Sequence, residues 1–432
     1  MFVRRIAVVG TGYVGLTTGA CLASLGHRVV CADVDALKVA RLRAGQVDIL
    51  EPGLADLVVE GRSAGRLEFV EGARHAVADA EVVFLCLPTP MGAGGAADLA
   101  AIEAVAAEIR DVLPRDAVVV CKSTVPVGTS TRVAALLGRD DVAVVSNPEF
   151  LREGSAVRDF LHPDRIVVGA GSPRAAERVA ALFTRLGAPT VLMDAASAEM
   201  VKYAANCFLA MKLSYVNAVA ELCELVGADV TSVTEGMGHD KRIGQSFLQP
   251  GPGWGGSCLP KDTHAMVRIA DAVGVDFSLV RATIETNARQ QRRVVDKLRR
   301  AIGPLAGARV GVLGLAFKAG TNDLRDSPAL AVAELLAFEG AELVAHDPGI
   351  DRPLAGMTVV DSPYAAVRDA DAVVLLTEWP EFRALDWGLV ASAMAGSTVL
   401  DTRNHLDPDA VARAGLVLHG LGRDLRVPDQ AR

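Results

Sequence analysis

Cys258 stands out among the side chains of this sequence that could perform chemistry. It follows the glycine-dense run Gly253-Trp254-Gly255-Gly256-Ser257 and is predicted to open a helix that carries Lys261. A helix N-terminus and a nearby ammonium group both stabilise the thiolate, the nucleophilic form of cysteine. The other cysteines lie in apolar strands or helices and are expected to be buried small hydrophobes: Cys21, Cys31, Cys86, Cys121, Cys207 and Cys223. We therefore expect a reactive thiol at Cys258, the alternative being a purely structural role.

A thiolate next to a hydride acceptor can help to oxidise an alcohol to a carboxylate. Hydride removal gives an aldehyde, the thiolate adds to it, a second hydride removal gives a thioester, and water releases the acid. Such a reaction needs a base, an oxyanion stabiliser and a positioned water. Side chains that could serve are Glu149, Glu153, Lys202, Asn206 and Asp262. For Lys202 the alternative is a solvated helix lysine, which its apolar sequence neighbours disfavour.

The hydride acceptor is predicted from the first residues of the chain. An apolar strand over residues 6–9 leads into Gly10-Thr11-Gly12-Tyr13-Val14-Gly15, a helical run over 16–25, and a second strand over 28–32 that ends on Asp33. In such a unit, Gly10 permits the turn, Gly12 admits a pyrophosphate and Gly15 lets the helix pack on the strand. An acid at the end of the second strand suits the ribose hydroxyls of NAD and repels the 2′-phosphate of NADP. This pattern predicts an NAD site.

The elements that must position these residues form a tandem arrangement. Strand candidates continue at 81–87, 117–122, 142–145 and 165–168, and long helices are predicted at 197–226, 261–274 and 279–302. The first pattern then returns, because residues 310–314, 343–347, 369–376 and 397–400 resemble the strands of the first half. We expect an α/β protein with two Rossmann-like, doubly wound parallel-sheet domains joined by a central helical domain. The predicted boundaries are 1–196 for NAD binding, 197–303 for the helical linker, dimer surface and cysteine loop, and 304–432 for the nucleotide sugar.

The second copy lacks the dinucleotide fingerprint. Leu315-Ala316-Phe317-Lys318-Ala319 stands where the first copy has Thr11 to Gly15. A phenylalanine and a lysine at this point suit a different phosphorylated ligand better than NAD. The alternative is that the second copy binds nothing and only packs.

Composition excludes several other classes of protein. The 432 residues carry a formal net charge of −8, which argues against a nucleic-acid partner. No apolar run approaches the length of a membrane span, and no signal peptide is predicted. The seven cysteines are scattered without a CxxC pair, which is typical of a reducing cytoplasm and predicts no metal site.

Five motifs in order give the sequence a resemblance to a known family across essentially its whole length. They are Gly10-Thr11-Gly12-Tyr13-Val14-Gly15, Ser123-Thr124-Val125-Pro126-Val127-Gly128-Thr129, Asn147-Pro148-Glu149-Phe150-Leu151-Arg152-Glu153-Gly154, Gly255-Gly256-Ser257-Cys258 with Pro260-Lys261-Asp262, and Phe317-Lys318. The sequence resembles the UDP-glucose/GDP-mannose dehydrogenase family. The resemblance implies an NAD-dependent, two-step oxidation of a sugar C6 alcohol through a thiohemiacetal and a thioester, in a homodimer formed through the central helices.

The resemblance also implies roles for individual residues. Cys258 would be the nucleophile, Lys202 with Asn206 would hold the oxyanion, Glu149 would act as acid and base, and Asp262 and Thr124 would place water. The residues expected to bind NAD are Gly10, Gly12, Tyr13, Val14, Gly15, Asp33, Lys38, Thr89, Thr124, Glu153 and Arg325. Those expected to bind the UDP-sugar are Glu149, Phe150, Leu151, Arg152, Lys202, Asn206, Arg242, Phe247, Leu248, Gln249, Gly253, Phe317, Lys318 and Arg403, with Arg242 lent across the dimer.

Two regions of the sequence bear on the identity of the substrate. The segment from Glu149 to Gly154 resembles the UDP-glucose branch of the family, and UDP-glucose going to UDP-glucuronate with two NAD is the first hypothesis. Leu259, Trp254 and the proline-rich stretch 249–252 depart from the family pattern near the sugar. The second hypothesis is therefore the same chemistry on UDP-N-acetylmannosamine, UDP-N-acetylglucosamine or GDP-mannose. A third, a non-catalytic NAD sensor or scaffold, is disfavoured because it has no need of a thiol at Cys258.

Overall fold

The computed structural model describes residues 3–423 and divides the chain into two compact units. The first unit comprises the chain up to Ala205 together with His264–Gly274. The second unit comprises Asn206–Thr263 together with the chain from Val275 onward. Among the residues that the structure describes, the first unit contains an eight-stranded β-sheet and the second a six-stranded one.

The strands are β1 Arg5–Val9, β2 Arg28–Asp33, β3 Leu67–Glu71, β4 Val82–Leu85, β5 Val118–Cys121, β6 Ala143–Ser146, β7 Ile166–Ala170, β8 Thr190–Met193, β9 Arg309–Leu313, β10 Glu342–His346, β11 Thr358–Val359, β12 Ala372–Leu375, β13 Thr398–Asp401 and β14 Val417–Gly420. The helices are α1 Tyr13–Ser24, α2 Ala36–Arg43, α3 Leu54–Ser63, α4 Ala73–Val77, α5 Ala100–Ile109, α6 Thr129–Leu137, α7 Ala156–Leu161, α8 Pro173–Ala180, α9 Ala195–Val226, α10 Val230–Gly238, α11 Leu259–Ala272, α12 Ser278–Ile302, α13 Pro328–Phe338, α14 Pro363–Ala366, α15 Pro380–Arg383, α16 Trp387–Ala393 and α17 Pro408–Arg413.

The sheet of the first unit has the strand order β3-β2-β1-β4-β5-β6-β7-β8. Its inner strands are apolar on both sides because helices cover both faces. In β1, Ile6 and Val8 belong to one hydrophobic core, while Ala7 and Val9 belong to the core on the opposite face. The chain reverses its direction across the sheet after β1, so β1 and β4 flank the switch point where doubly wound folds bind ligands.

The sheet of the second unit repeats this arrangement, with the order β11-β10-β9-β12-β13-β14. All of its strand pairs are parallel among the residues that the structure describes. Val310 and Val312 of β9 face one core, and Leu313 faces the other. The internal repeat and the two Rossmann-like folds predicted from the sequence are therefore confirmed.

One feature of the first sheet differs from the prediction. The expected strand at 165–168 is present as β7, but it pairs antiparallel with β6, so the sheet is not fully parallel. β3 and β8 were not predicted. The boundaries at 196/197 and 303/304 stay a prediction, and in the part of the chain that the structure covers no helix is long and apolar enough to span a membrane.

Candidate active site

The glycines after β1 leave room for a phosphate group at the start of α1. A Cβ on Gly15 would collide with the carbonyl of Gly10, and Gly10 itself has a φ of +93°, so both positions require glycine. A Cβ on Gly12, in contrast, would meet no atom within 4 Å. Gly12 also caps α1 without a side-chain hydrogen bond, which leaves N–H groups at the positive end of the helix dipole. This open, uncapped helix terminus fits the pyrophosphate of NAD.

Asp33 at the end of β2 is held by its neighbours. Its Oδ2 accepts hydrogen bonds from the Thr11 N–H, at 3.0 Å, and from Lys38 Nζ, at 3.0 Å. Burial raises the pKa of Asp33, but the hydrogen bonds from Thr11, Lys38 and Asp35 outweigh burial and bring the pKa to about 2. Asp33 is therefore a carboxylate at neutral pH, as an acceptor for ribose hydroxyls should be.

Glu149 and Lys202 form a buried ion pair in the first unit. Lys202 Nζ donates to Glu149 Oε1 at 3.0 Å, and the two side chains are only 4% and 5% exposed. Burial raises the pKa of Glu149, but the charge and hydrogen bond of Lys202, the Leu151 N–H and the charge of Lys122 lower it below its ordinary value. Glu149 is thus a carboxylate at neutral pH. Lys202 Nζ also lies 5.4 Å from the ring centroid of Phe150.

Cys258 in the second unit stands immediately before α11. Its carbonyl accepts the Asp262 N–H at 2.9 Å, the first hydrogen bond of that helix, so the predicted position at a helix N-terminus is confirmed. Cys258 is partly exposed, whereas the other six cysteines are buried. The preceding glycines permit close packing, since a Cβ on Gly256 would press on the Phe317 ring.

Asp262 lies one helical turn after Cys258 and is fully buried. Its Oδ2 accepts from Asn206 Nδ2 at 2.6 Å, and its Oδ1 accepts from Lys261 Nζ at 2.6 Å. Asn206 lies on α9. This arrangement fixes the orientation of the Asn206 amide.

Two of the residues predicted to bind the sugar nucleotide, Phe317 and Arg403, are in contact in the second unit. Arg403 donates to the Phe317 carbonyl at 3.2 Å and pairs with Glu378 at 3.0 Å, and its guanidinium lies against Gly251. Phe247 adopts a φ of +63°, a strained conformation for an aromatic residue. Such strain is concentrated at ligand-binding segments.

The predicted residues divide between the units. The first unit holds Gly10, Gly12, Tyr13, Val14, Gly15, Asp33, Lys38, Thr89, Thr124, Glu149, Phe150, Leu151, Arg152, Glu153 and Lys202. The second holds Asn206, Arg242, Phe247, Leu248, Gln249, Gly253, Cys258, Asp262, Phe317, Lys318, Arg325 and Arg403.

Three predicted arginines point their side chains to solvent and pair with an acid on their own segment. Arg242 pairs with Asp240 and is 89% exposed, Arg325 pairs with Asp323, and Arg152 pairs with Asp159. Leu248, in contrast, is buried. Thr89 donates to the Thr124 carbonyl at 2.9 Å, which joins two predicted NAD-binding segments.

Lys122 and Glu51 are buried charged residues near these segments that were not predicted. Lys122 donates to Asn147 Oδ1 at 3.1 Å, and burial lowers its pKa to about 8. Its signal in the sequence is a lysine directly after the apolar strand β5. Glu51 contacts Tyr13 and Gly154, and its sequence, Leu50-Glu51-Pro52-Gly53, resembles an ordinary loop.

The two folds, the NAD-type glycine loop and the thiol before α11 together define a nucleotide-dependent oxidoreductase. Comparison with known proteins makes the class specific. Residues 4–187 match the NAD-binding domain of the UDP-glucose/GDP-mannose dehydrogenase family, residues 196–289 its central domain, and residues 311–408 its UDP-binding domain. The chain belongs to this family of dehydrogenases, and NAD is its cofactor.

Individual relatives match nearly the whole chain. UDP-glucose 6-dehydrogenase TuaD of Bacillus subtilis is 43% identical over 97% of this chain and 93% of its own length. The structure of a UDP-glucose dehydrogenase from Pyrobaculum islandicum is 39% identical, with a TM-score of 0.91 over 98% of both chains. A UDP-D-ManNAc dehydrogenase from Pyrococcus horikoshii is 29% identical, with a TM-score of 0.86 over 97% of this chain and 99% of that one.

Proposed function

We propose that this protein oxidises the C6 alcohol of UDP-glucose to the carboxylate of UDP-glucuronate, with two NAD and one water consumed per sugar. The observation that carries the proposal is Cys258, the partly exposed thiol at the start of α11, one turn before the fixed Asn206–Asp262 pair. NAD, when bound, accepts one hydride in each oxidation. The higher identity to the UDP-glucose enzymes than to the ManNAc enzyme favours UDP-glucose over an N-acetylated sugar.

In the first unit, Glu149 acts as the base, because it is ionised, with the Lys202 ammonium beside it. Once it has accepted a proton, Glu149 acts as the acid. Lys202 stabilises the negative oxygen that develops on the reacting carbon. Thr124 helps to place the hydrolytic water. The residues that hold NAD are the glycine loop, Asp33 and the other members of the cofactor set predicted above.

In the second unit, the Cys258 thiolate adds to the aldehyde carbon and forms a thiohemiacetal, which the second oxidation converts to a thioester. Asn206 donates to the oxyanion, and Asp262 holds Asn206 and helps to place water. Water attacks the thioester carbon, the C–S bond breaks, and the thiol is regenerated. Phe317, Lys318 and Arg403 hold the nucleotide, and the segment 247–253 holds the sugar.

The direct test is the ratio of NADH formed to UDP-glucose consumed by the purified protein. We expect a ratio of two, with UDP-glucuronate as the product. If UDP-glucose yields no NADH, UDP-glucose is rejected as the substrate. The same assay with UDP-N-acetylmannosamine, UDP-N-acetylglucosamine and GDP-mannose then identifies the substrate.

The variant Cys258→Ser tests the covalent step. We expect turnover to fall at least roughly 1,000-fold, because a serine hydroxyl is a much weaker nucleophile than a thiolate. Cys207→Ser, at a buried cysteine of the same unit, is the matched control and should retain turnover. If Cys258→Ser still forms two NADH per sugar at the normal rate, the role of Cys258 as the nucleophile is excluded.

We also infer a homodimer formed through α9. This helix presents apolar side chains at heptad spacing: Phe208, Met211, Tyr215, Ala218, Leu222 and Leu225. Phe208, Tyr215, Leu222 and Leu225 are each between 56% and 79% exposed in the single chain. Apolar side chains with this heptad spacing are typical of a helix that packs against a second helix. In a two-fold symmetric dimer, α9 of a second copy of the chain provides that second helix.

Leu222→Glu should convert the dimer to a monomer in light scattering coupled to size exclusion, since it places a charge in the stripe. Leu279→Glu, at a similarly exposed leucine of α12, is the control and should stay dimeric. A monomeric unmodified chain excludes the dimer.

We assign the protein to the cytoplasm, because seven free thiols suit a reducing compartment.

A further inference from the structure

Glu51 is a buried carboxylate in the loop between α2 and α3, outside the catalytic set described above. Its side chain receives three hydrogen bonds. Glu51 Oε2 accepts from the Tyr13 hydroxyl and from the Gly154 N–H, at 2.8 Å, and Oε1 accepts from the Val157 N–H, at 3.4 Å. The Gly154 N–H also points to the Tyr13 oxygen at 2.9 Å, so the three groups form a closed triangle.

The triangle joins segments that are distant in the sequence. Tyr13 is 38 residues before Glu51 and is the first residue of α1, at the helix terminus that fits the pyrophosphate. Gly154 is 103 residues after Glu51 and ends the segment 149–154, which contains the proposed base. Gly154 has a φ of +79°, which fixes the direction of its N–H. One carboxylate therefore connects the proposed cofactor loop to the proposed sugar segment.

Hydrogen bonds compensate the Glu51 carboxylate for the water that it loses on burial. Within residues 3–423, Glu51 has no salt bridge to a lysine or arginine, and its residue is only 6% exposed. Burying a carboxylate is unfavourable unless donors replace its lost water, so these three donors stabilise Glu51 in its buried position. Burial, and then the hydrogen bond and charge of Glu51, raise the pKa of Tyr13, which keeps its hydroxyl protonated as a donor.

We propose that Glu51 is a positioning residue that makes the binding of NAD and of the nucleotide sugar interdependent, by tying Tyr13 to Gly154. The inference rests on the proposed function, because that function places the sugar against the segment 149–154. A ligand that orders α1 at Tyr13 then also orders Gly154, and the reverse holds by linkage. Without the carboxylate both sites still bind their ligands, but the affinity for one ligand no longer depends on whether the other is bound.

Hydrogen exchange of the ligand-free protein tests the structural link. In Glu51→Ala, the Gly154 and Val157 amides within the peptide 150–157 should exchange roughly 10-fold faster than in the unmodified chain. Both amides lose the Glu51 carboxylate as an acceptor, and the Tyr13 hydroxyl, which also faces the Gly154 N–H, loses the group that holds it. Glu60→Ala, at an exposed glutamate of α3, is the matched control and should leave this peptide unchanged. Equal protection in Glu51→Ala and the unmodified chain would overturn the proposal.

Titration calorimetry tests the coupling, with NADH used in place of NAD so that no turnover occurs. UDP-glucose should tighten NADH binding by about 5-fold or more in the unmodified chain, and by a factor near one in Glu51→Ala. If Glu51→Ala does not fold, Tyr13→Phe decides, since it keeps the carboxylate and both backbone donors and should lose at least half of the coupling free energy. Unchanged coupling in the folded variant, or no coupling in an unmodified chain that turns over, overturns the role of Glu51.

Turnover of the unmodified chain separates this inference from the proposed function. Two NADH per UDP-glucose together with a coupling factor of one would reject Glu51 as the link and leave the activity standing. Absence of NADH formation would reject UDP-glucose as the substrate, while the exchange experiment would still decide whether Glu51 holds the segment 150–157.

Discussion

The two Rossmann-like folds of this chain share a strand order but differ at the end of their first strand. In the first fold, three residues lead from β1 to α1, and the helix begins without a side-chain cap. In the second, the chain from Leu313 to Pro328 makes a long excursion, and Ser327 caps α13 by accepting the Leu330 N–H. The same topology thus presents a free helix terminus in one fold and a satisfied one in the other. Topology sets where a ligand site can open, and the residues after the first strand set which ligand can enter.

The acid that ends the second strand has a different task in each fold. Asp33 is held by Thr11 and Lys38 at the rim of the cofactor site. Asp347 is buried and accepts the N–H groups of Leu315 and Ala316, at 2.7 and 2.9 Å, with Trp379 Nε1 at 3.1 Å. The Leu315 N–H matches the Thr11 N–H that Asp33 accepts in the first fold. Asp347 in addition satisfies the Ala316 N–H, at the position of Gly12, where the first fold leaves room for a pyrophosphate.

Gly12→Ala gives the sharpest contrast between the folds. The added Cβ meets no protein atom within 4 Å, so the unfolding transition should not move, but it fills space that the pyrophosphate needs. We expect calorimetry to show NAD affinity reduced at least roughly 100-fold, about 2.7 kcal/mol. The reciprocal variant Ala316→Gly, at the matching position of the second fold, should leave NAD affinity unchanged. Normal affinity in Gly12→Ala would mean that the helix terminus does not hold the phosphates.

Asp347→Asn should act on stability and not on cofactor binding. An amide in place of the carboxylate directs an N–H toward backbone N–H groups that have no other acceptor, which costs about 2 kcal/mol of unfolding free energy. Urea unfolding measures the loss, and NAD titration provides the control. A weakened NAD affinity with unchanged stability would contradict the structural role.

Asp33→Asn should make stability less dependent on pH. Because the pKa of Asp33 is depressed to about 2 from an ordinary value near 3.8, the carboxylate stabilises the fold above pH 3.8 and loses this contribution as the pH falls toward 2. The variant should therefore be less stable by roughly 1.5 kcal/mol at pH 7, with a smaller difference near pH 3. Urea unfolding at both pH values checks this, and a difference that grows on acidification would refute it.

Ser327→Ala should have the smallest effect. Loss of the α13 cap is expected to cost about 1 kcal/mol. Ser362→Ala is the control, because Ser362 precedes α14 without a side-chain capping bond. Thermal unfolding of both variants should show a shift for Ser327→Ala alone.

The parts that the sequence predicted are those that local chemistry determines. A strand, a glycine turn, a helix and a terminal acid carry their own signals within some twenty-five residues, and the dense glycines before Cys258 mark a close approach in the same way. The direction of a strand has no such local signal, because the apolar residues of β7 are compatible with both parallel and antiparallel pairing to β6. β3, Leu67–Glu71, was missed because two of its five residues are glutamates, so it lacks the continuous apolar run that marks the inner strands.

The polar links within the site were harder to predict. Glu149 and Lys202 lie 53 residues apart, and the sequence identified each of them but not their ion pair. Glu51 gave no signal at all, since a glutamate before proline and glycine is an ordinary loop residue. Its role depends on partners 38 and 103 residues away, which only the folded chain brings together.

The uneven burial of the seven thiols has a practical consequence for measuring this enzyme. Burial raises the pKa of Cys21, Cys86, Cys121 and Cys207 to about 12, so at pH 7 these side chains are almost entirely unreactive thiols. Cys31 and Cys223 are likewise shielded from reagents, and Cys258 alone is partly accessible. A small maleimide or haloacetamide dye should therefore label one site per chain without any cysteine being mutated. Dye incorporation would then count competent active sites in a preparation, and prior incubation with substrate would protect them.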